Sequence, residues 1–253
     1  MTDCDASVKA VEQVGPGIFR IVLLAPGTAR ESLPGQFLMI EASPGPFPLL
    51  RRPFTVSSAD RAGGTLELLF RVTGGGTGAL SRLSRGDSVR VLGPLGRGWP
   101  VSDGRWLLVG GGMGAAGFPF LASRLGPHDI LLGAGNAASL AWTPPGALLA
   151  TEDGSAGTKG LVTCLLDRID PFSYERIAVC GPVAMMRAVV AALPPGVRAS
   201  TLVSLESRMA CGWGVCGGCA VPASGGGFLR CCADGPVFEA SELDWDRIEE
   251  AAP

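Results

Sequence analysis

Over the first ~100 residues apolar and polar positions alternate in short bursts, and pairs of glycine or proline separate the bursts. Phe19-Arg-Ile-Val-Leu-Leu24, Gly35-Gln-Phe-Leu-Met-Ile-Glu41, Thr65-Leu-Glu-Leu-Leu-Phe-Arg-Val72 and Ser88-Val-Arg-Val-Leu92 each read as a strand, with breaks at Pro26-Gly27, Pro44-Gly45 and Gly63-Gly64. Short strands with such frequent turn signals predict a small antiparallel barrel. From Trp106 the rhythm changes. Trp106-Leu-Leu-Val109, Ile130-Leu-Leu132, Leu148-Leu-Ala-Thr151, Ile177-Ala-Val-Cys180 and Thr201-Leu-Val-Ser-Leu205 predict strands, and helices are expected around Phe118 to Arg124, Leu161 to Arg168 and Ala184 to Leu193. Alternating strand and helix points to a parallel sheet covered by helices. After Leu205 come a cysteine-rich loop, Ser224-Gly-Gly-Gly227 and a short tail with Trp245. The expected organisation is therefore β plus α/β, with units over residues 1–99, 100–204 and 205–253. The last is too small to have much core of its own, so a bound metal group is expected to supply much of its order.

With 253 residues, 47% hydrophobic and 17% charged, 38 glycines and 20 prolines, the chain is folded and turn-rich. A net charge of -2 argues against a nucleic-acid binder, which carries a basic patch or stripe. Arg51-Arg52 is the one adjacent basic pair and reads as a local phosphate contact. No segment approaches ~18 uninterrupted apolar residues, and the start lacks a cationic and apolar leader, so no membrane span and a cytoplasmic location are expected. A reducing compartment leaves thiols free for metal.

Five of the eight cysteines lie in Cys211-Gly-Trp-Gly-Val-Cys216-Gly-Gly-Cys219 and Cys231-Cys232. The first three follow C-x4-C-x2-C, the spacing of plant-type 2Fe-2S ferredoxins. Zinc competes for a four-sulfur site, but structural zinc usually draws its sulfurs from two short knuckles, whereas here one glycine-rich loop supplies three. An iron-sulfur cluster is the preferred reading. Adjacent side chains in extended backbone point to opposite sides, so one of Cys231 and Cys232 is the fourth ligand, and spacing leaves the choice open. Cys4 and Cys164 fit as packing thiols.

Gly110-Gly-Gly-Met-Gly114 follows a predicted strand and opens a predicted helix, where backbone can approach a pyrophosphate, making Gly110, Gly112 and Gly114 candidates. Cys180-Gly-Pro-Val-Ala-Met-Met186 ends the fourth parallel strand at the same sheet edge; Cys180 is a candidate, and Met185 and Met186 read as helix core. Thr151-Glu-Asp-Gly-Ser-Ala-Gly157 offers hydroxyls and carboxylates to a ribose, or is a polar loop and cap. Arg52-Pro-Phe-Thr55 combines a phosphate-pairing guanidinium, a rigid turn, an aromatic face and a hydroxyl. Gly74-Gly-Gly-Thr-Gly78 adds exposed N-H groups. His128 and Tyr174 read as surface turn residues. Leu131 to Ala150 contain no charged side chain, although a dinucleotide fold commonly places an acid at the end of its second strand.

Taken in order, Pro34-Gly-Gln-Phe37, Arg52-Pro-Phe-Thr55, Leu69-Phe-Arg71, Gly76-Thr77, Gly93-Pro-Leu-Gly96, the glycine turn, Cys180-Gly-Pro182 and the cysteine loop resemble the ferredoxin reductase-like flavoproteins. Glu206-Ser-Arg-Met-Ala-Cys-Gly212 and Cys232-Ala-Asp-Gly-Pro-Val-Phe238 resemble in particular the electron-transfer subunits of class 1B dihydroorotate dehydrogenases. The resemblance implies an FAD-binding barrel, a nucleotide-binding α/β domain and a C-terminal 2Fe-2S segment. It places FAD on Arg52, Pro53, Phe54, Thr55, Leu69, Phe70, Arg71, Gly76 and Thr77, NAD on the glycine turn and Cys180, and the cluster on Cys211, Cys216, Cys219 and Cys232. Phe54 and Gly117 stand where relatives often carry tyrosine and proline. The implied role is oxidoreductase electron transfer to NAD+ beside an FMN-containing catalytic subunit that oxidises dihydroorotate in pyrimidine synthesis, in a heterotetramer of two of each, with no general base in this chain. The alternatives are a small subunit of an NAD(P)H:ferredoxin oxidoreductase or sulfhydrogenase-type complex, and a zinc-stabilised binding module.

Overall fold

In the N-terminal half, strands β1 (Thr2–Gly15) and β2 (Ile18–Leu24), helix α1 (Pro26–Glu31), strands β3 (Phe37–Glu41), β4 (Arg52–Thr55), β5 (Ser58–Asp60) and β6 (Thr65–Arg71), helix α2 (Gly75–Leu80) and strand β7 (Ser88–Leu95) follow one another. This is a computed structural model that describes residues 1–41 and 49–249, so the expected break at Pro44-Gly45 lies outside the described residues. The strands form one antiparallel half-barrel in the order β4-β3-β7-β1-β2-β6-β5. Alternation does what the pattern predicts: in β6 the buried positions are Leu66, Leu68 and Phe70. Strand β1 was not foreseen, because Asp3, Asp5, Lys9 and Glu12 interrupt it and only Ala6 and Val8 are buried. Phe54 on β4 meets Phe70 on β6 edge to face, with ring centres 5.7 Å apart.

The second half carries β8 (Trp106–Gly111), a 3-10 turn at Gly112–Gly117, α3 (Phe118–Ala122), β9 (His128–Ala134), β10 (Leu148–Thr151), β11 (Thr158–Lys159), β12 (Arg176–Cys180), α4 (Val183–Ala192), α5 (Pro195–Arg198) and β13 (Thr201–Ser204). The expected helix from Leu161 to Arg168 is a 3-10 helix over Val162–Arg168. The strands run parallel in the order β11-β10-β9-β8-β12-β13. Strand β8 is apolar throughout because both faces are covered: Leu107 and Val109 enter the core with Met186 and Val189, while Trp106 and Leu108 enter the core with Phe118 and Leu121. Chain order reverses between β8 and β12. In open parallel sheets that switch point, at the carboxyl edge, is where ligands bind.

The C-terminal segment adds the hairpin β14 (Ala220–Pro222) and β15 (Phe228–Arg230), then β16 (Val237–Glu239), which pairs antiparallel with β13 and extends the large sheet. Its apolar side chains join a core larger than the segment itself. Cys231, Phe238, Leu243 and Ile248 share one core with Phe37, Met39 and Leu95 of the half-barrel and with Val203 of β13. Each large apolar side chain buried there contributes about 1.5–3 kcal/mol. Among the described residues no helix is long and apolar enough to cross a membrane.

Candidate functional site

Two cavities open along the switch edge. The larger, about 750 Å3, lies between the half-barrel and the sheet and is lined by Arg52, Pro53, Phe54 and Thr55 of β4, Leu69, Phe70 and Arg71 of β6, and Gly74 to Thr77. Its far wall is Gly114, Gly117, Cys180 and the chain from Ser204 to Met209. Strand pairing brings the two arginines there: Ile40 faces Arg52 across β3-β4, and Ile18 faces Arg71 across β2-β6. Arg71 keeps its Nε buried without a hydrogen-bond partner. A buried guanidinium N-H left unpaired is costly, and an anionic ligand oxygen satisfies it. Thr77 Oγ1 accepts from Thr73 N-H at 2.9 Å and Gly74 N-H at 3.2 Å, so it ties the glycine loop closed, while the first N-H groups of α2 lack intrahelical partners. Arg51, expected to share a phosphate contact, pairs instead with Asp3 at 3.1 Å.

The smaller cavity, about 600 Å3, is lined by Gly111 to Gly114, Gly133 to Gly135, Glu152, Gly160 to Thr163 and Gly181 to Met185. Arg71, Met113, Gly114 and Glu206 border both cavities. The glycine turn is tight for a reason: a Cβ on Gly114 would sit 2.6 Å from Cys180 O and 2.5 Å from Gly181 Cα. Gly117 likewise makes room for Thr55, whose Cγ2 would be 2.7 Å from an added Cβ. Gly110 lines neither cavity; it packs beneath Ala115, Leu132 and Phe118. Met185, expected in the helix core, lies over Gly111 and Gly181 and lines the cavity, whereas Met186 is buried. Burial, with Glu206 adding, pushes the Cys180 thiol up to about 12, so it stays protonated.

The cysteine loop turns on Gly212, Gly214 and Gly217, all with positive φ, a conformation suited to glycine. Gly212 lets the loop settle on the half-barrel, since a Cβ there would meet Met39 Cγ at 2.5 Å. Cys219 Sγ and Cys232 Sγ lie 3.1 Å apart, and Gly214 N-H donates to Cys232 Sγ at 3.0 Å. Cys231 points the other way, its thiol donating to Leu205 O at 3.2 Å in the core. Burial pushes both Cys231 and Cys232 up to about 12. Burial acts upward on Cys211 too, but N-H groups of Cys216, Trp213 and Val215 and the Cys216 thiol outweigh it and bring Cys211 down to about 6. The sulfurs thus form two pairs, Cys211 with Cys216 and Cys219 with Cys232. Among the described residues no three Cys, His, Asp or Glu side chains converge as a single-ion site requires. Two pairs suit a dinuclear cluster, with one pair to each iron. Arg230 staples the site: its guanidinium holds Asp234 at 3.0 Å and donates to Gly214 O at 3.2 Å.

Sequence reasoning missed Met113, Met185, Glu206, Arg208 and Arg230, none of which stands in a spacing that carries chemistry by itself. His128 starts β9 and its ring meets Gly126 O. Tyr174 is buried, not a surface residue, and donates to Asp129 at 2.8 Å.

Comparison with known proteins places these sites in context. Residues 6–99 match the oxidoreductase FAD-binding domain, and residues 206–244 match the iron-sulfur cluster binding domain of dihydroorotate dehydrogenase B. The chain is 38% identical to the dihydroorotate dehydrogenase B (NAD(+)) electron transfer subunit of Desulforamulus reducens, covering 96% of this chain and 98% of that one. It is 37% identical to the corresponding subunit of Listeria innocua, over 93% and 97% of the two chains. A solved NADH-dependent reduced ferredoxin-NADP oxidoreductase superposes with a TM-score of 0.82 at 29% identity, covering 95% of this chain and 90% of that one.

Proposed function

From the premise that this chain belongs to the family of dihydroorotate dehydrogenase B electron-transfer subunits, we propose the residues by which it does that work. It is an oxidoreductase subunit that carries electrons from a dihydroorotate-oxidising partner to NAD+, using FAD and an iron-sulfur cluster. Bound FAD supplies a carrier that accepts two electrons together and releases them singly, and a 2Fe-2S cluster supplies a one-electron relay. In this reading Arg52, Arg71 and the N-H groups at Gly76 and Thr77 hold the FAD pyrophosphate, while Pro53 to Thr55, Leu69 and Phe70 shape the rest of its site. Gly112, Gly114 and Cys180 admit the nicotinamide dinucleotide to the smaller cavity, with Gly110 supporting the turn from beneath. Cys211, Cys216, Cys219 and Cys232 hold the cluster, and Cys231 stays a core thiol. The units divide at 99/100 and 204/205, the partner carries FMN, the complex contains two of each subunit, and it works in the cytoplasm.

One observation carries this reading. The wall of the larger cavity runs from Ser204 to Met209, and Cys211 follows two residues later. Two residues span at most about 7 Å of chain, so the cluster loop begins beside the flavin cavity. Pro236, four residues after Cys232, lines the same cavity, so the chain touches it again beyond the fourth cysteine. Neighbouring sites are what exchange between a two-electron and a one-electron carrier requires.

The shared layout with the ferredoxin-NADP oxidoreductase supports a second reading, a small subunit of that kind of complex. Anaerobic co-purification separates the two. Recovery with an FMN-bearing dihydroorotate dehydrogenase, and dihydroorotate-dependent NAD+ reduction by the pair, is expected; recovery with a larger iron-sulfur flavoprotein instead would sink the first reading.

A further inference from the structure

Arg230 closes strand β15 and is followed at once by Cys231 and Cys232. Its carbonyl accepts from Ala233 N-H at 3.0 Å and Asp234 N-H at 2.8 Å, and its own N-H donates to Asp234 Oδ2 at 2.8 Å. The two cysteines therefore sit inside a turn that Arg230 and Asp234 close. The guanidinium divides its donors between two partners. Nε and Nη2 each meet an oxygen of Asp234 at 3.0 Å, and Nη1 donates to Gly214 O, in the cysteine loop, at 3.2 Å.

Gly214 is thereby held at both ends of its backbone, since its N-H donates to Cys232 Sγ at 3.0 Å. The packing there is close: a Cβ on Gly214 would meet Ala233 Cβ at 2.8 Å and Arg230 Nη1 at 3.3 Å. Asp234 occupies the Nε and Nη2 edge of the guanidinium and Gly214 the Nη1 corner. The ion pair so turns its positive end toward the loop that carries the sulfurs. As a surface pair, with both side chains reached by water, it adds little to stability. Its direction is what bears on the cysteines.

We propose that Arg230 is a positioning residue for the one-electron relay: its charge, and its hold on the Gly214 N-H that meets Cys232 Sγ, raise the reduction potential of the iron-sulfur cluster. The inference rests on reading Cys211, Cys216, Cys219 and Cys232 as the cluster ligands. One-electron reduction of a 2Fe-2S centre turns one ferric ion ferrous and adds one negative charge. Net charge and hydrogen bonds to the ligand sulfurs are among the levers that set the potential of such a centre. A guanidinium separated from Cys232 Sγ by Gly214 stabilises the added charge, and Asp234, on the other edge, offsets part of that. The two residues therefore act on the cluster in opposite directions, and water keeps both effects small.

The test uses the full chain loaded with FAD and cluster, with Arg230→Gln, Arg230→Lys and Asp234→Asn beside the native protein. The cluster's midpoint potential is read by electron paramagnetic resonance in a mediated redox titration, and iron content is measured on each sample. Arg230→Gln should shift the cluster toward its oxidised form by about three- to ten-fold, the upper end being about 59 mV for a one-electron couple. Arg230→Lys should recover part of that shift, because it restores the charge without the planar fork. Asp234→Asn should move the potential the other way, upward. Equal potentials in native protein, Arg230→Gln and Asp234→Asn would overturn the proposal, and so would a downward shift in both variants, which marks a loosened loop. If Arg230→Gln comes out without iron, Asp234→Asn decides: an upward shift supports the proposal, and any other result, loss of iron included, overturns it. If native protein itself carries no iron, the ligand reading falls and this inference with it.

Discussion

The cysteine loop and the flavin cavity are neighbours built by opposite means. Four sulfurs of the loop come from 22 consecutive residues, Cys211 to Cys232, and three positive-φ glycines with one Arg230–Asp234 pair set their directions. The cavity draws Arg52, Arg71, Gly76, Cys180 and Met209 from strands and loops spread across most of the chain, and neither the half-barrel nor the large sheet makes it alone. A locally built site should fail locally, whereas an assembled one should fail with the packing that assembles it.

The sharpest break in that comparison is Cys232→Ser. Losing a ligand outright should exceed the roughly 10–100-fold that an outer-shell change costs in metal affinity. Iron content should collapse while FAD stays, and Cys231→Ser should keep both; the reverse pattern would show that the neighbouring thiol is the ligand. Next in size is Arg71→Ala. Removing a charged hydrogen-bond donor of about 1.5–3 kcal/mol should weaken FAD retention roughly ten- to hundred-fold and leave iron alone. Equal flavin content in gel-filtered native and variant protein would contradict the pyrophosphate role.

Gly114→Ala sharpens the assembled side. Its Cβ would meet Gly181 Cα at 2.5 Å, backbone that cannot step aside, so a stability loss of about 1–3 kcal/mol in denaturant titration is expected. Flavin reduction by NADH should suffer more than flavin content. The smallest effect belongs to Tyr174. Burial first, then its hydrogen bond to Asp129, pushes the phenol from 10.0 up to about 12. The folded state therefore holds this proton more tightly than the unfolded one, and the gain, complete below pH 10, fades as pH rises towards 12. Tyr174→Phe should cost about 1 kcal/mol at neutral pH and flatten the loss of stability between those limits. An unchanged alkaline profile would remove Tyr174 from the account.

What could be read in advance follows the same division. Periodicity locates β2, β3, β6 and β7, and the apolar runs locate β8 to β10, β12 and β13, because burial on one face or two leaves a direct imprint on residue type. Strand β1 leaves little, since only Ala6 and Val8 are buried along it. Spacing identifies the cysteine loop because its geometry is local. It leaves Cys231 and Cys232 equivalent, and only the packing of the segment against Leu205 turns one sulfur inward. Met185 carries no readable signal: it sits on a helix, and its place over Gly111 and Gly181 depends on the packing of the chain after β12 beside the end of β8. The borrowed core of the C-terminal segment was equally invisible, since Phe238 and Leu243 find their partners in Phe37, Met39 and Val203, far away in the chain.

The central claim is that one chain holds a flavin and an iron-sulfur cluster side by side. Metal, acid-labile sulfide and flavin analysis of anaerobically purified protein tests it most directly. About two iron and two sulfide with about one FAD per chain is the predicted result. A single zinc with no flavin would contradict it.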